Sequence, residues 1–249
     1  MGWSLKNFNM HKNSFIISLS AILIVYCLGA FAIPLMDVDA AQYASISREM
    51  LEKQSYLQLF DLHADYLDKP PMLFWLSALS MKVFGIYDWA YRIPSLLFLG
   101  IALFSTFHFA KLYYHITTAR LATLMLASSQ AFFLIAHDVR TDTMLVGWVM
   151  AAICAIAYWT IQKKHTYFFI AVIAIAGGMM TKGPIALVVP ILCFVPEWFC
   201  KKDWAYFFKP IYLVGIIIIA LLLFPMTWGL YQQFDLHPGK IINHRPIQS

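Results

Sequence analysis

Seven apolar runs free of Asp, Glu, Lys and Arg recur along the chain, at 14–33, 93–110, 121–136, 143–161, 167–180, 185–196 and 211–231. A bilayer core takes about 20 apolar residues per helix, so these runs read as spans and the fold class as an all-α polytopic membrane protein. The two short runs, 167–180 and 185–196, gain length from flanking residues such as Trp198 and Phe199. Only 12% of the residues are charged, against about 25% in soluble domains. The net charge of +5 would suggest nucleic acid in a soluble protein. Here cytoplasmic loops rich in Lys and Arg account for it, and no basic patch interleaved with aromatics points to nucleic acid. Cys27, Cys154, Cys193 and Cys200 have no metal-ligand spacing and read as packing residues.

One polar stretch, 34–92, separates the first run from the rest. Within it, positions 37–92 hold eight of the thirteen acidic residues. Ala30-Phe31-Ala32 fits a signal-peptidase site, but the apolar region is long and further spans follow, so 14–33 reads as an uncleaved first helix. Segment 72–84 is apolar but only thirteen residues long and carries Lys82. At that length it is expected to lie in the interface rather than cross.

If 72–84 does not cross, the N-terminus and 111–120, 162–166 and 197–210 share one side, with nine basic and two acidic residues. The other side holds nine basic and eleven acidic residues, spread over far more chain. The positive-inside rule makes the first side cytoplasmic. The expected organisation is one module, 1–249: a first span at 14–33, an outer loop at 34–92, six further spans within 93–231 and an outer tail at 232–249. The N-terminus is then cytoplasmic in a plasma (inner) membrane, and the polar loops meet on the extracytoplasmic face.

Four motifs gather there. Asp39 is placed either to cap a helix over 40–53 or, with Asp37, to act as a general base at the bilayer edge. Tyr43, Ile46 and Met50 would form that helix's apolar stripe, and Arg48 can pair with Glu52. In Asp68-Lys69-Pro70-Pro71 the prolines stiffen the backbone and hold Lys69 at headgroup level, where it meets either a substrate phosphate or lipid. His137-Asp138-Val139-Arg140-Thr141-Asp142 is either an active-site cluster or a solvated ion-pair group, with Asp142 a cap for a helix from Thr143. Thr181-Lys182-Gly183-Pro184 is a turn carrying one more lysine. No cofactor is indicated with certainty. A divalent metal between Asp68 and His237 or His244 is an option.

In order and spacing these motifs resemble the lipid-linked-sugar glycosyltransferases of the GT-C class. The resemblance is to the family 39-like group that includes protein O-mannosyltransferases and bacterial aminoarabinose transferases. It is carried by Asp39-Ala40-Ala41-Gln42-Tyr43, Ser47-Arg48-Glu49-Met50, Lys69-Pro70-Pro71, Gly85, Trp89, Arg92, Pro94, Arg140 with Asp142, and Thr181-Lys182-Gly183-Pro184. It covers about residues 15–235 and implies a GT-C-type bundle of about seven transmembrane helices, with interfacial helices in the first outer loop. It also implies sugar transfer from a polyprenyl-phosphate donor to a lipid, glycan or protein acceptor. Asp39 becomes the catalytic Asp and Asp142 a second active-site carboxylate. Lys69 becomes a phosphate ligand, and Asp37, Tyr43, Asp138, Arg140 and Lys182 join the substrate site.

Two positions depart from the family pattern: Ala40 stands for a Glu and Gln42 for an Arg. Members usually continue with several more spans, so the chain reads as a fragment or a shortened member. A noncatalytic membrane subunit is the main rival. A transporter fits less well, because it would place ionisable residues inside the spans.

Overall fold

The computed structural model describes residues 10–35, 38–62, 64–202 and 209–235. They form ten helices and one small hairpin: α1 (Lys12–Ala32), α2 (Val38–Lys53), β1 (Phe60–Asp61), β2 (Ala64–Asp65), α3 (Met72–Phe84), α4 (Asp88–Tyr113), α5 (Ile116–Ala127), α6 (Gln130–His137), α7 (Thr141–Gln162), α8 (His165–Lys182), α9 (Ile185–Cys200) and α10 (Ile211–Asp235).

Five helices are long and apolar enough to cross a membrane: α1, α4, α7, α8 and α10. The other two expected spans differ. The 121–136 run breaks at Ser128 and Ser129, so α5 and α6 form a pair bent by 53°. Helix α9 has 16 residues, with Pro190 and Pro196 inside it. At 1.5 Å per residue it reaches about 24 Å, short of a bilayer core of roughly 30 Å. In the other direction, α8 runs two residues past its apolar core at each end and so carries Lys182 as its last residue. Helix α10 continues to Asp235, beyond the expected end of the span.

The polar loop folds into two helices laid against the bundle. On α2, Tyr43, Ile46 and Met50 are buried, while Arg48 and Glu52 form their 2.6 Å ion pair outside. Pro71 caps α3, whose thirteen residues bury Leu73, Phe74, Ala78 and Met81. Gly85 ends that helix at φ 92°, a backbone setting that favours glycine. These side chains, with Tyr66, Tyr91, Phe98, Val139 and Met144, make the core beneath the loop.

Arg92 ties three elements together. Only 1% exposed, it donates Nε to His137 O (2.9 Å) and Nη1 to Ala30 O (2.9 Å) and Ile33 O (2.5 Å). The C-terminal ends of α1 and α6 leave carbonyls without intrahelical partners, and their dipoles favour a cation there. One guanidinium thus serves both ends and fixes the chain entering α2 relative to the turn before α7.

Candidate functional site

The site is built where α2, the hairpin, the start of α3, the α6–α7 turn, the end of α8 and the end of α10 meet. Helix α2 starts at Val38, so Asp39 lies exposed in the first turn and is not the cap. The expected cap is corrected by one turn position, and the carboxylate remains favourably placed at the helix's positive end. Asp37 lies outside the described residues, as do His63, His237 and His244.

One turn further along α2, Tyr43 packs edge-on against Phe74 (5.7 Å between ring centres), and Tyr66 packs on the same ring at 5.7 Å. The two phenols are in electrostatic reach of each other. Burial, and then the charge of Asp39, raise the Tyr43 pKa, with Asp68 adding to the rise and Arg140 opposing it. Burial, followed by Tyr43, also raises that of Tyr66. Tyr43 is therefore a neutral hydroxyl within electrostatic reach of Asp39, Asp68 and Arg140.

The 68–71 segment presents Lys69, 30% exposed, beside Asp68, 77% exposed, with 3.5 Å between Nζ and Oδ2. Across from it, the ammonium of Lys182 forms an ion pair with Asp142. Asp142 lies inside the first turn of α7, which begins at Thr141 with Arg140 as cap. The expected capping role is replaced by this pairing across two helices. Lys69, Lys182, Asp68 and Tyr66 line one cavity of about 310 Å³, with Met226 and Leu230 of α10 on its apolar side.

The α6–α7 turn is tight. Val139 is fully buried at φ 50°, an uncommon setting for a β-branched residue. Arg140 is in electrostatic reach of Tyr43, while Asp138 is half-buried and in electrostatic reach of Arg92. Of the expected site residues, then, Asp39, Tyr43 and Arg140 form one group, and Lys69, Lys182 and Asp142 another. Tyr66 and Asp68 join them. Asp138 lies in electrostatic reach of Arg92 and Tyr91.

Three contributors were not anticipated. Tyr66 had no motif to mark it in the run Asp65-Tyr66-Leu67-Asp68. Gln233, placed by its polarity in a tail, is buried on α10 and donates to Leu59 O (2.9 Å) and Asp65 Oδ1 (3.3 Å). Gln42, where the family pattern has Arg, donates to Asp61 Oδ2 at 2.6 Å and holds the hairpin to α2. Among the described residues, no group of three or more His, Cys, Asp or Glu could hold a metal ion.

Comparison with known proteins gives the family and the fold. Residues 68–228 match the family described as dolichyl-phosphate-mannose-protein mannosyltransferase. The chain is 28% identical over 215 residues to an undecaprenyl phosphate-alpha-4-amino-4-deoxy-L-arabinose arabinosyl transferase of Yersinia pestis (strain Pestoides F), covering 84% of this chain and 38% of that protein. The protein of the same name from Enterobacter sp. (strain 638) is 28% identical over 204 residues, covering 79% of this chain and 36% of that one. The crystal structure of ArnT from Cupriavidus metallidurans bound to undecaprenyl phosphate superposes with a TM-score of 0.81 at 18% identity. The match covers 96% of this chain and 45% of that one. The apo form of the same protein gives 0.81 at 18% identity, over 94% and 44%. The chain thus spans well under half the length of these relatives, and it shares their GT-C fold over nearly all of its own. With a family match over more than half of its residues, the chain belongs to the dolichyl-phosphate-mannose-protein mannosyltransferase family.

Proposed function

We propose that the chain is a membrane glycosyltransferase that moves a sugar from a polyprenyl-phosphate donor to a lipid, glycan or protein acceptor at the extracytoplasmic face of the inner membrane. The observation that carries this reading is the shared cavity of Lys69 and Lys182, with the Asp39–Tyr43 group beside it. The names of the relatives, which specify an undecaprenyl-phosphate sugar donor, support the donor class.

In this reading the donor's phosphate lies between Lys69 and Lys182, and its tail follows the apolar α10 side into the bilayer. Asp39 takes the proton of the acceptor nucleophile. The nucleophile bonds to the anomeric carbon as the carbon–oxygen bond to phosphate breaks, and configuration inverts. Negative charge grows on the departing polyprenyl phosphate, where the two ammonium groups stabilise it. Tyr43, held neutral, donates a hydrogen bond and does not act as base. Arg140 offsets the local carboxylate charge and orients the sugar. Asp142 holds Lys182 in place until the phosphate arrives.

The test is transfer of labelled sugar from a synthetic undecaprenyl-phosphate donor in membranes containing the full chain. Transfer that is abolished in Asp39→Asn and Asp142→Asn supports the reading. Wild-type transfer by both variants overturns the assignment of the residues. The facing is tested separately with a single cysteine placed at Lys163, which should resist membrane-impermeant label in intact cells.

A further inference from the structure

The small hairpin touches both halves of the site, and each half reaches it with one amide. From α2, Gln42 donates to Asp61 Oδ2 at 2.6 Å. From α10, Gln233 donates to Leu59 O at 2.9 Å and to Asp65 Oδ1 at 3.3 Å. Asp61 belongs to β1 and Asp65 to β2, in a register that pairs Asp61 with Ala64 and Phe60 with Asp65. The two amides thus grip one hairpin by its two strands.

The partners fix what these side chains can be. A backbone carbonyl and a carboxylate accept and do not donate, so only the Nε2 end of either glutamine fits them. Leu59 O also takes the N–H of Tyr66 at 2.9 Å, which occupies its second lone pair. Gln233 is buried, where an unpaired amide is costly. One turn earlier on α10, Gly229 has no room for a β-carbon against Leu57 O, so the helix rests on the chain leading into the hairpin.

The remaining anchors leave the hairpin free to tilt. Trp75 of α3 donates to Tyr56 O at 2.5 Å on one side, and Pro70-Pro71 stiffen the backbone on the other. Between them, strands of two residues each are too short to hold their own orientation. That orientation matters on both flanks. Tyr66, directly after β2, shares the Phe74 ring with Tyr43 of α2, and Leu59, Tyr66 and Gln233 line the cavity of Lys69 and Lys182.

We infer that Gln42 and Gln233 are positioning residues which, through the hairpin, hold α2 and its Asp39 at one spacing from the cavity wall on α10. Their effect on turnover rests on the transferase reading above; the clasp stands on the hydrogen bonds alone. Neither amide touches the reacting atoms. Both are neutral, so they engage the carboxylates of the hairpin and leave the donor phosphate to Lys69 and Lys182.

Exchanging the polarity of one pair tests this. Gln42→Glu keeps the shape but sets a carboxylate against Asp61. Adding Asp61→Asn restores one donor and one acceptor with their roles reversed and the net charge of the wild type. Hydrogen exchange over 57–68, read by mass spectrometry on the detergent-solubilised full chain, should quicken about ten-fold in Gln42→Glu and in Gln233→Glu, and return to within about two-fold of wild type in Gln42→Glu/Asp61→Asn. With the undecaprenyl-phosphate donor in membranes, Gln42→Glu should lower kcat about 10²-fold, the scale of a 1 Å misplacement, while KM for the donor changes less than about three-fold. The double variant should recover most of that loss. Unchanged exchange in Gln42→Glu, or no recovery in the double variant, overturns the clasp. A kcat that holds, or that falls only as donor KM rises, overturns the positioning role. Where Gln42→Glu does not fold, folded yield regained in the double variant supports the clasp and yield not regained overturns it. A wild-type chain that transfers no sugar sinks the transferase reading and the positioning role with it, while the exchange series still decides the clasp.

Discussion

The ammonium of Lys182, the last residue of α8, pairs with the carboxylate of Asp142 in the first turn of α7. The two lie forty positions apart and are 37% and 42% exposed. A pair so open to solvent contributes only about 0–1 kcal/mol to folding. Its value lies in holding a lysine at the cavity wall.

Asp142→Asn should therefore leave thermal stability nearly unchanged, within about 1 kcal/mol. It should cut sugar transfer by roughly 10²-fold or more, the scale of losing one preorganised charge partner in an active site. Detergent-solubilised melting curves and the transfer assay check the two halves. A fall in both together would mark Asp142 as a structural residue.

Asp39 gives a second contrast. It is exposed in the first turn of α2, so Asp39→Asn keeps most of its favourable placement there. Loss of a general base is expected to cost about 10²–10⁴-fold in turnover with little change in donor affinity. Donor affinity can be read in tryptophan quenching on titration with undecaprenyl phosphate.

The phenols at the site predict a pH dependence. Tyr43 and Tyr66 are raised above the ordinary value of 10.0 by burial, so the folded state holds their protons more tightly than the unfolded chain does. Their contribution to stability is full below pH 10.0 and is lost as pH rises through the folded values. Stability attributable to them should stay flat from pH 7 to about 10 and decline above it. A Tyr43→Phe, Tyr66→Phe double variant should reduce that decline in chemical denaturation series run at each pH.

Arg92 predicts the largest structural effect. Arg92→Met strands three buried carbonyl acceptors, on Ala30, Ile33 and His137. At about 1 kcal/mol or more each, the loss should be roughly 3 kcal/mol. Folded yield and midpoint in mild denaturant would register it. Arg92→Lys, which keeps the charge but not the fork, should recover only part.

Gly229 supplies a further check. A β-carbon there would collide with Leu57 O, so α10 lies directly against the loop before the hairpin. Gly229→Leu should push α10 off the cavity and weaken donor binding at least ten-fold, about 1.4 kcal/mol. Gly100, where a β-carbon meets nothing within 4 Å, is the matched control, and Gly100→Ala should behave as wild type.

The helices were legible because hydrocarbon leaves the backbone few choices, and apolar runs such as 143–161 announce themselves. The stripe Tyr43, Ile46 and Met50 followed from periodicity, and the helix at 72–84 from its short apolar length. What misled was local. Ser128-Ser129 carries no charge, so a hydropathy reading passes over the break that bends α5 from α6. Capping was one of two readings for Asp39 and for Asp142, yet both helices begin earlier than expected, at Val38 and Thr141. Tyr66 and Gln233 were invisible because their roles depend on contacts across the fold, with Tyr43 and with Leu59. Lys69 and Lys182 sit 113 positions apart, and the sequence could place them only on the same side of the membrane.

The Arg92 staple also bears on how the protein is made. A chain emerging from its N-terminus has α1 in place when Arg92 arrives, and can offer it Ala30 O and Ile33 O at once. The third acceptor, on His137, comes 45 residues later. Helices α1 and α4 can therefore join early as a pair that already shelters the charge from lipid. The turn bearing Arg140 and Asp142 is fastened only after α6 has been synthesised. Biogenesis would thus join α1 and α4 first and fasten the turn before α7 afterwards.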